Sequence, residues 1–353
     1  MKKILISTGG SGGHVIPATI FYEHLHKEFQ VVISTDIRGS RFLSKNKYDL
    51  VNINTPKLNN LFFLPINIFI ILYLTIKSYF FLKRKNIEKL ISTGGYMSLP
   101  VILAAKLLQL DIYLFEPNLV IGRANKLFLG SCKKIFCYSE KILNFPIKFK
   151  NKIIILDPLV RKEFYNSNMS PTKKSLFQIL VVGGSQGARI FDNDIKNSFL
   201  NISKKYPLKI IHQTSEKNVE NLKNFYALKN IENFVFSFDK NFMKIVQGTD
   251  FCITRAGAST LAELSILNIP FLAIPLPSSK DNHQLENAKF YKDINCCWVL
   301  DQKFFNTQIE DVLEAILVNR VDYLQKKDNL KKLNNKNSWL NVNQKIIRAI
   351  NEN

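Results

Sequence analysis

Residues 3–18 read KILISTGGSGGHVIPA, a short apolar strand followed by a glycine-rich turn and a stretch that can form a helix. Residues 89–105, KLISTGGYMSLPVILAA, and residues 178–192, QILVVGGSQGARIFD, repeat this order. Such a unit is typical of a doubly wound parallel sheet, where glycine permits a tight turn and lets a ligand approach the backbone. The first and third segments lie half the chain apart, so the sequence predicts an α/β fold with two Rossmann-like halves.

Short apolar runs continue the alternation of strands and helices through both halves. Strands are predicted at residues 31–34, 112–115, 134–138 and 153–156, and again at 208–213, 234–236, 251–254 and 271–274. Alternation at this spacing favours parallel sheets with helices on both faces. We expect an N-terminal domain at residues 1–157, a C-terminal domain at 158–337 and a final helix, 338–353, that can pack back on the first domain.

The composition is that of a basic globular protein. Of the 353 residues 46% are hydrophobic, and 49 Lys and Arg against 28 Asp and Glu give a net charge of +21. Such a balance fits an anionic membrane surface, a phosphorylated substrate or nucleic acid. Lysine supplies 40 of the 49 positive charges, however, and biased codon usage alone would produce such an excess of lysine. The clustered arginines and aromatic motifs of nucleic-acid modules are missing from the sequence, so we expect no nucleic-acid partner.

Five cysteines, an odd number without a CxxC pair, indicate reduced thiols in the cytosol rather than a disulfide framework or a zinc site. The N-terminus has only three consecutive apolar residues before the glycines. That run is too short for the core of a signal peptide, so it is interpreted as the first strand.

Residues 61–82, LFFLPINIFIILYLTIKSYFFL, form the most apolar stretch of the chain. Its length approaches that of a membrane span. A span would place the first two glycine-rich loops on opposite sides of the membrane, although both are predicted to belong to one sheet. A membrane span is therefore disfavoured against a buried helix or an interfacial helix, and the neighbouring basic residues 83–85 favour contact with an anionic membrane surface.

The glycine-rich loops at residues 9–13, 94–95 and 183–187 precede predicted helices, whose first amides can bind an anion. None of them is a Walker loop, and none fits the dinucleotide pattern well. Three such loops favour a phosphate-bearing ligand, although simple tight turns explain each of them singly. His14 directly follows the first loop, where a histidine can act as a general base or merely bond a nearby carbonyl.

Polar residues in the second half suit a nucleotide sugar. Glu263 lies one turn into the helix that follows residues 251–254, where a carboxylate can accept hydrogen bonds from ribose hydroxyls. Gln284 and Asn287 are three residues apart and share a helix face, as sugar-binding amides would. Helix capping is the alternative for both segments. Residues 192–194, Asp-Asn-Asp, are interpreted as solvated surface.

Several motifs occur in a fixed order: GGSGGH at residues 9–14, STGGYMSLP at 92–100, GGSQGAR at 183–189, TRAGASTLAE at 254–263 and KDNHQLENA at 280–288. In these motifs, and over nearly its whole length, the chain resembles the MurG family, bacterial UDP-N-acetylglucosamine transferases that form lipid II. The resemblance implies a GT-B architecture of two Rossmann-like domains facing across a cleft. It places the UDP-GlcNAc donor mainly on the C-terminal domain and the lipid acceptor, lipid I, on the N-terminal domain.

The resemblance also implies site residues. Glu263 would hold the ribose, the backbone of Phe238 the uracil, and Gln284 with Asn287 the GlcNAc hydroxyls. The donor site as a whole would comprise Ser11, Gly12, Gly13, Asn118, Arg161, Ser185, Phe238, Arg255, Ala258, Ser259, Thr260, Leu261, Ala262, Glu263, Gln284 and Asn287. The acceptor diphosphate would meet Gly10, Gly94, Gly95 and Tyr96. Residues 61–85 coincide with the membrane-facing patch of the family, which implies a peripheral protein on the cytoplasmic face of the inner membrane.

The expected reaction is displacement at the anomeric carbon by the C4 hydroxyl of the muramoyl sugar, with inversion and without a metal or other cofactor. His14 is the first candidate for the base and Glu116 the second. The family sequence His-Glu-Gln-Asn is replaced by Phe115-Glu116-Pro117-Asn118, which puts in question a role for the first and third positions. The alternatives are another UDP-sugar enzyme of this fold, such as a glycolipid synthase or a UDP-GlcNAc epimerase, and a non-enzymatic basic membrane-surface protein.

Overall fold

The chain forms two α/β units in the computed structural model, which describes residues 1–56, 63–166, 176–183, 189–237, 239 and 242–352. The first unit comprises Met1–Val160 together with Ser338–Asn353, and the second comprises Arg161–Asn337. The division between the two units thus falls three residues after the boundary expected from the sequence.

The first unit contains a parallel sheet that the described residues form from seven strands in the order β3-β2-β1-β4-β5-β6-β7. The strands are β1 (Lys3–Ser7), β2 (Gln30–Thr35), β3 (Asp49–Asn52), β4 (Lys89–Ser92), β5 (Asp111–Glu116), β6 (Lys134–Cys137) and β7 (Ile153–Ile155). The prediction of a doubly wound parallel sheet is confirmed. Of these seven strands only β3 was not predicted, because this four-residue edge strand has just two apolar residues and gives little signal.

Alternate residues of the central strand β1 enter two cores on the two faces of this sheet. Ile4 and Ile6 pack with one cluster, whereas Leu5 between them packs with the other. All three are fully buried, because a strand covered by helices on both sides needs apolar residues on both faces. The covering helices begin with α1 (Gly12–Leu25), α2 (Ile37–Ser40), α3 (Leu64–Arg84), α4 (Leu99–Leu107) and α5 (Arg123–Phe128).

The second unit has a six-stranded parallel sheet in the order β10-β9-β8-β11-β12-β13 among the residues described. Its strands are β8 (Phe177–Val182), β9 (Leu208–Gln213), β10 (Glu232–Phe236), β11 (Phe251–Thr254), β12 (Phe271–Ala273) and β13 (Cys297–Val299). Its helices are α6 (Lys162–Tyr165), α7 (Arg189–Asn193), α8 (Ile195–Ser203), α9 (Val219–Leu228), α10 (Phe242–Val246), α11 (Ala258–Ile266), α12 (His283–Asp293), α13 (Phe305–Val318) and α14 (Arg320–Leu333). The edge strand β13 was not predicted.

The last helix, α15 (Trp339–Asn351), belongs to the first unit. Val342, Ile346 and Ile350 recur every four residues and are fully buried in the core that also contains α1. The Trp339 ring stacks on His24 of α1 with 3.7 Å between ring centroids. This helix therefore completes one face of the N-terminal sheet although it is encoded at the other end of the chain.

Both sheets change winding direction beside their first strand in sequence. In the first unit β1 and β4 are neighbours, and in the second β8 and β11 are neighbours. Connections leave opposite sides of the sheet at such a point, so a crevice opens at the carboxyl ends of the two strands. All the glycine-rich loops identified from the sequence follow one of these four strands.

Candidate functional site

The loops after β1 and β4 lie side by side at the switch point of the first sheet. Gly10, Gly94 and Gly95 adopt φ values of 80°, 90° and 81°, which favour glycine over any side chain. Helix α1 begins at Gly12, so the amides of Gly12 and Gly13 have no carbonyl partner one turn earlier. The Ser11 hydroxyl does not cap this helix. These amides are therefore of the kind that can bind an anion at a helix start, and anion binding here stays a prediction.

Two of the predicted diphosphate contacts already use their amides within the protein. The Gly10 amide donates to Oδ1 of Asp36 at 2.8 Å, and the Gly94 amide donates to the Ser92 hydroxyl at 3.2 Å. These two glycines therefore shape the loops rather than offer their N–H groups to a ligand.

Asp36 and Arg38 also belong to this site, and the sequence analysis missed both. Asp36 directly follows strand β2 and accepts a hydrogen bond from the first glycine-rich loop. Arg38 donates a hydrogen bond to the Tyr96 hydroxyl of the second loop. A charged Asp-x-Arg directly after a buried strand was the available signal. It was overlooked because the turn after β2 contains no glycine pair.

His14 stands between the two loops in the first turn of α1. Its Nδ1 atom lies 2.8 Å from the carbonyl oxygen of Thr93, the residue just before Gly94. A carbonyl can only accept, so Nδ1 of the neutral imidazole carries the proton and Nε2 carries the lone pair. A Cβ atom on Gly95 would lie 3.4 Å from Nε2. Glycine at this position therefore leaves the basic nitrogen uncovered on the side of the second loop.

Glu116 has both carboxylate oxygens occupied. Oε1 accepts from the backbone and side-chain amides of Asn118, at 3.2 and 3.0 Å. Oε2 accepts from the Gly122 amide at 2.7 Å and from Asn125 at 3.0 Å. Glu116 is 3% exposed. It therefore fixes the loop that carries Asn118, and its geometry suits that positioning better than proton transfer.

Phe115, which replaces a histidine of the family pattern, lies in the core. Its ring makes edge contacts with Phe21 and Tyr138, at centroid distances of 5.3 and 5.6 Å, and it is fully buried. The side chain at this position points away from the carboxyl-edge loops, so a phenylalanine here removes no group from the site of this chain.

In the second unit, the predicted donor residues Ser185 and Phe238 lie outside the described residues. The loop after β11 is described, and α11 begins directly behind it at Ala258 with Gly257 as its N-cap residue. The amides of Ala258, Ser259 and Thr260 form the first turn and have no intrahelical partner. Leu261 and Ala262 are buried in the core. Their side chains therefore face away from a ligand at this helix start.

Arg161 and Glu263 are brought together, with Nε of the arginine 3.0 Å from Oε1 of the glutamate. Burial raises the pKa of Glu263, and the Arg161 charge opposes that rise. The Arg161 guanidinium also lies 3.4 Å from Glu163 and over the ring of Phe164. A carboxylate held by an arginine can act as a directional acceptor, and hydrogen bonding of Glu263 to ribose hydroxyls stays a prediction.

Gln284 and Asn287 tie α12 to the two loops that precede it. Gln284 Oε1 accepts from the Leu276 amide at 3.0 Å, and Asn287 Nδ2 donates to the Ala256 carbonyl at 3.1 Å. Arg255 donates to the Ile274 carbonyl at 3.1 Å, next to the same loops. The structure therefore brings Arg255, Gln284 and Asn287 to the carboxyl edge of the second sheet, beside the start of α11.

The interpretation of residues 192–194 as solvated surface is wrong for Asp192. Its side chain is only 11% exposed and lies 3.5 Å from Nε2 of the fully buried His212. Its Oδ2 atom accepts from the Thr214 hydroxyl at 2.8 Å. The charge of Asp192 is therefore used inside the unit, at the ends of β9 and α7.

The described residues contain no cluster of three metal-ligating His, Cys, Asp or Glu side chains. The candidate site instead offers helix starts, guanidinium groups and amides, the groups that bind phosphates and sugar hydroxyls.

Comparison with known proteins agrees with this chemistry. The glycosyltransferase family 28 N-terminal domain matches residues 4–137, and the C-terminal domain of that family matches residues 178–340. A UDP-N-acetylglucosamine–N-acetylmuramyl-(pentapeptide) pyrophosphoryl-undecaprenol N-acetylglucosamine transferase from Pelagibacter ubique is 50% identical over 100% of this chain and 99% of its own length. The protein of the same name from Rickettsia bellii is 32% identical over 90% of this chain and 91% of its own length.

Solved structures show the same fold. MurG from Acinetobacter baumannii aligns with a TM-score of 0.76 at 24% identity, covering 99% of this chain and 100% of that chain. A UDP-GlcNAc 2-epimerase from Neisseria meningitidis, bound to UDP-GlcNAc, aligns with a TM-score of 0.68 at 13% identity, covering 99% and 100%.

Two doubly wound sheets, together with the matches to both glycosyltransferase family 28 domains, identify a glycosyltransferase of the GT-B class. The identity of 50% over the whole chain narrows the assignment further. The chain belongs to glycosyltransferase family 28 and, within it, to the MurG family. The resemblance inferred from the sequence motifs is thereby confirmed.

Proposed function

We propose that this protein transfers GlcNAc from UDP-GlcNAc to the C4 hydroxyl of the MurNAc residue of lipid I, giving lipid II and UDP. Membership of the MurG family supports the substrates. The observation that carries the chemistry is the 2.8 Å contact between Nδ1 of His14 and the Thr93 carbonyl, which keeps the proton on Nδ1 and so leaves the lone pair on Nε2.

In this reaction His14 is the general base. Nε2 takes the proton of the C4 hydroxyl while its oxygen attacks the anomeric carbon of GlcNAc. The bond from that carbon to the β-phosphate oxygen breaks, and the electron pair leaves with UDP. Attack opposite the leaving group inverts the configuration and gives a β-1,4 link. General-base catalysis of this kind contributes about 10²–10⁴-fold to a rate.

The second unit supplies the groups for the donor. The first-turn amides of α11 stabilise the charge that develops on the leaving diphosphate, since a helix start carries a partial positive charge. Glu263 accepts hydrogen bonds from the ribose hydroxyls, and Gln284 and Asn287 bind the hydroxyls of GlcNAc. Glu116 holds Asn118 in place and is not the base, because its four hydrogen bonds occupy both oxygens.

Helix α3 is the proposed membrane contact, because its exposed face is apolar. The outward stripe Ile66, Phe69, Tyr73, Ile76 and Phe80 is 56–73% exposed. Its inward face is mixed, with the apolar Ile71 and Leu82 buried beside the polar Thr75 and Ser78. A water-facing helix has a polar outward face, so the outward face of α3 suits a non-aqueous surface.

The fold decides how this helix meets the membrane. Among the described residues α3 is the one helix long and apolar enough to span a bilayer. It connects β3 and β4 of one sheet, however, and packs along α4. A helix tied to a single sheet at both ends cannot cross a membrane, so we infer that it lies in the interface. The exposed residues Lys77, Lys83, Arg84 and Lys85 attract anionic head groups there, which supports a peripheral position on the cytoplasmic face of the membrane.

The test is the release of UDP by the purified protein from UDP-GlcNAc, with and without a short-chain lipid I analogue. Acceptor-dependent release with formation of the disaccharide product is expected. Release without an acceptor would instead indicate hydrolysis or epimerisation. Donor binding without release in the presence of the analogue would leave the fold intact and refute the proposed acceptor.

A further inference from the structure

The turn after β2 fastens the first glycine-rich loop. Oδ1 of Asp36 accepts from the amides of Gly10 and Gly39, each at 2.8 Å. A Cβ atom on Gly9 would lie 2.8 Å from that oxygen, and one on Gly39 would lie 2.9 Å from the Cα atom of Gly9. The close approach of loop and turn therefore depends on two glycines that no dinucleotide or Walker pattern requires.

Arg38 continues this connection to the second glycine-rich loop. Its Nε donates to Oδ2 of Asp36 at 2.9 Å, and its Nη2 donates to the Tyr96 hydroxyl and, at 3.3 Å, to the Met97 sulfur. The guanidinium also lies 5.6 Å from the centroid of the Tyr96 ring. One arginine thus joins the two loops that the family resemblance assigns to the acceptor diphosphate.

The remaining edge of the guanidinium is accessible. The Arg38 side chain is 40% exposed, and its Nη1 makes no hydrogen bond to any described residue. A Cβ atom on Gly10 would lie 3.9 Å from Nη2, which shows how near the group stands to the first loop. Two N–H groups of a fixed cation are therefore left for a ligand between the loops.

Asp36 keeps this cation in place. Burial, which raises the pKa of Asp36, is outweighed by the hydrogen bonds from Gly10, Gly39 and Arg38, so the carboxyl stays ionised. Such an anchor orients the planar fork of an arginine without consuming it.

The chemistry of the neighbouring groups indicates what the cation binds. The amides at the start of α1 supply only partial charges, whereas a diphosphate carries about two full negative charges. We propose that Arg38 contacts the diphosphate of the lipid-linked acceptor and supplies the full positive charge that the two loops lack. This inference rests on the proposed function, because it takes the acceptor to bind at the first unit.

Kinetics of Arg38→Met test the inference, with Arg41→Met as the matched control. Arg41 lies three residues further along the same turn, is exposed and loses the same charge when substituted. We expect Arg38→Met to raise KM for the lipid I analogue by roughly 10–100-fold, the range for a lost charge-assisted hydrogen bond. KM for UDP-GlcNAc should change less than about twofold, and Arg38→Lys should fall between the two.

An acceptor analogue with an uncharged linker in place of the diphosphate gives the second readout. The difference between Arg38→Met and the unsubstituted protein should disappear with it, whereas a general disturbance of the loops would persist. Equal KM values for Arg38→Met and Arg41→Met with the diphosphate acceptor would overturn the inference.

Binding of geranyl diphosphate, followed by calorimetry, separates this inference from the proposed function because it needs no turnover. Binding that Arg38→Met weakens and Arg41→Met preserves supports the diphosphate contact even if no acceptor-dependent UDP release is found. Binding that is the same in both variants refutes the contact even if transferase activity is found.

Discussion

Nε of Arg161 lies 3.0 Å from Oε1 of Glu263, which joins two residues 102 positions apart in the sequence. The glutamate side chain is 7% exposed, and burial raises its pKa while the arginine lowers it. The arginine therefore counteracts the tendency of burial to neutralise the group that is proposed to accept the ribose hydroxyls.

Removing this arginine should make donor binding sensitive to acid. In Arg161→Met the buried Glu263 loses its opposing charge, so its pKa rises further and its carboxylate is protonated at a higher pH. We expect KM for UDP-GlcNAc to increase by about tenfold near neutral pH, and the acid limb of kcat/KM to move to higher pH. Initial rates across a pH series measure both effects.

Arg161→Lys is the control for this prediction, because it keeps the charge and should shift the acid limb less. If the pH profile of Arg161→Met coincides with that of the unsubstituted protein, Glu263 does not contribute to donor binding. Thermal melting of each variant shows whether the second unit remains folded.

Local patterns predicted most of the fold, because strand, glycine turn and helix are encoded by adjacent residues. The short edge strands β3 and β13 were missed since three or four residues carry little periodicity. The contact between Asp36 and Gly10 joins residues 26 positions apart, and no pattern in either segment specifies the other. Asp192 was interpreted as solvated because its partner His212 lies on β9, a pairing that only the tertiary structure provides.

Substitution of His14 should abolish turnover and spare the donor. His14→Ala removes Nε2, so kcat should fall by roughly 10²–10⁴-fold while the affinity for UDP-GlcNAc changes little. His26→Ala, at the other end of α1, is the control and should remain active. Single-turnover rates and equilibrium donor binding distinguish the two effects, and near-normal turnover of His14→Ala would assign the base to another group.

The apolar outward face of α3 predicts that membrane binding can be weakened without loss of catalysis. The triple variant Phe69→Ser, Ile76→Ser and Phe80→Ser removes apolar groups from the outward stripe, so binding to anionic vesicles should weaken on the order of 10–100-fold. Activity on a water-soluble short-chain acceptor should be retained, since the substituted side chains are exposed and carry none of the site.

A control variant for α3 is available in the second unit. Leu228, Val318 and Val321 are exposed to a comparable degree, at 81%, 64% and 78%, and their triple replacement by serine removes exposed apolar side chains outside α3. Vesicle sedimentation should show no loss for this control. Equal loss in both variants would mean that vesicle binding follows total apolar surface and not the stripe on α3.

The buried histidine of the second unit predicts how stability depends on pH. The His212 ring has no exposed surface and faces Tyr226 at Nδ1 and Asp192 at Nε2. Burial lowers the pKa of His212 and outweighs the attraction of Asp192. Burial also raises the pKa of Tyr226, so its hydroxyl stays protonated and donates to Nδ1, which leaves the ring proton on Nε2 towards Asp192.

Because the folded histidine stays neutral, acid should destabilise this unit through it. Below about pH 6.5 the unfolded chain binds a proton at this position that the folded chain does not bind. The free energy of unfolding should therefore fall on acidification by up to about 1.4 kcal/mol per pH unit, until the lowered pKa is reached. His212→Gln should remove this part of the slope, whereas the exposed His283→Gln should keep it.

The two tryptophans allow the slope to be measured for the second unit alone. Trp298 lies in that unit and Trp339 in the first, so a Trp339→Phe background leaves Trp298 to report its unfolding by denaturant at each pH. Parallel slopes for His212→Gln and His283→Gln would show that the buried ring is protonated in the folded state. In that case Asp192 would hold a charged partner, and the proton assignment along the Tyr226–His212–Asp192 chain would have to be reversed.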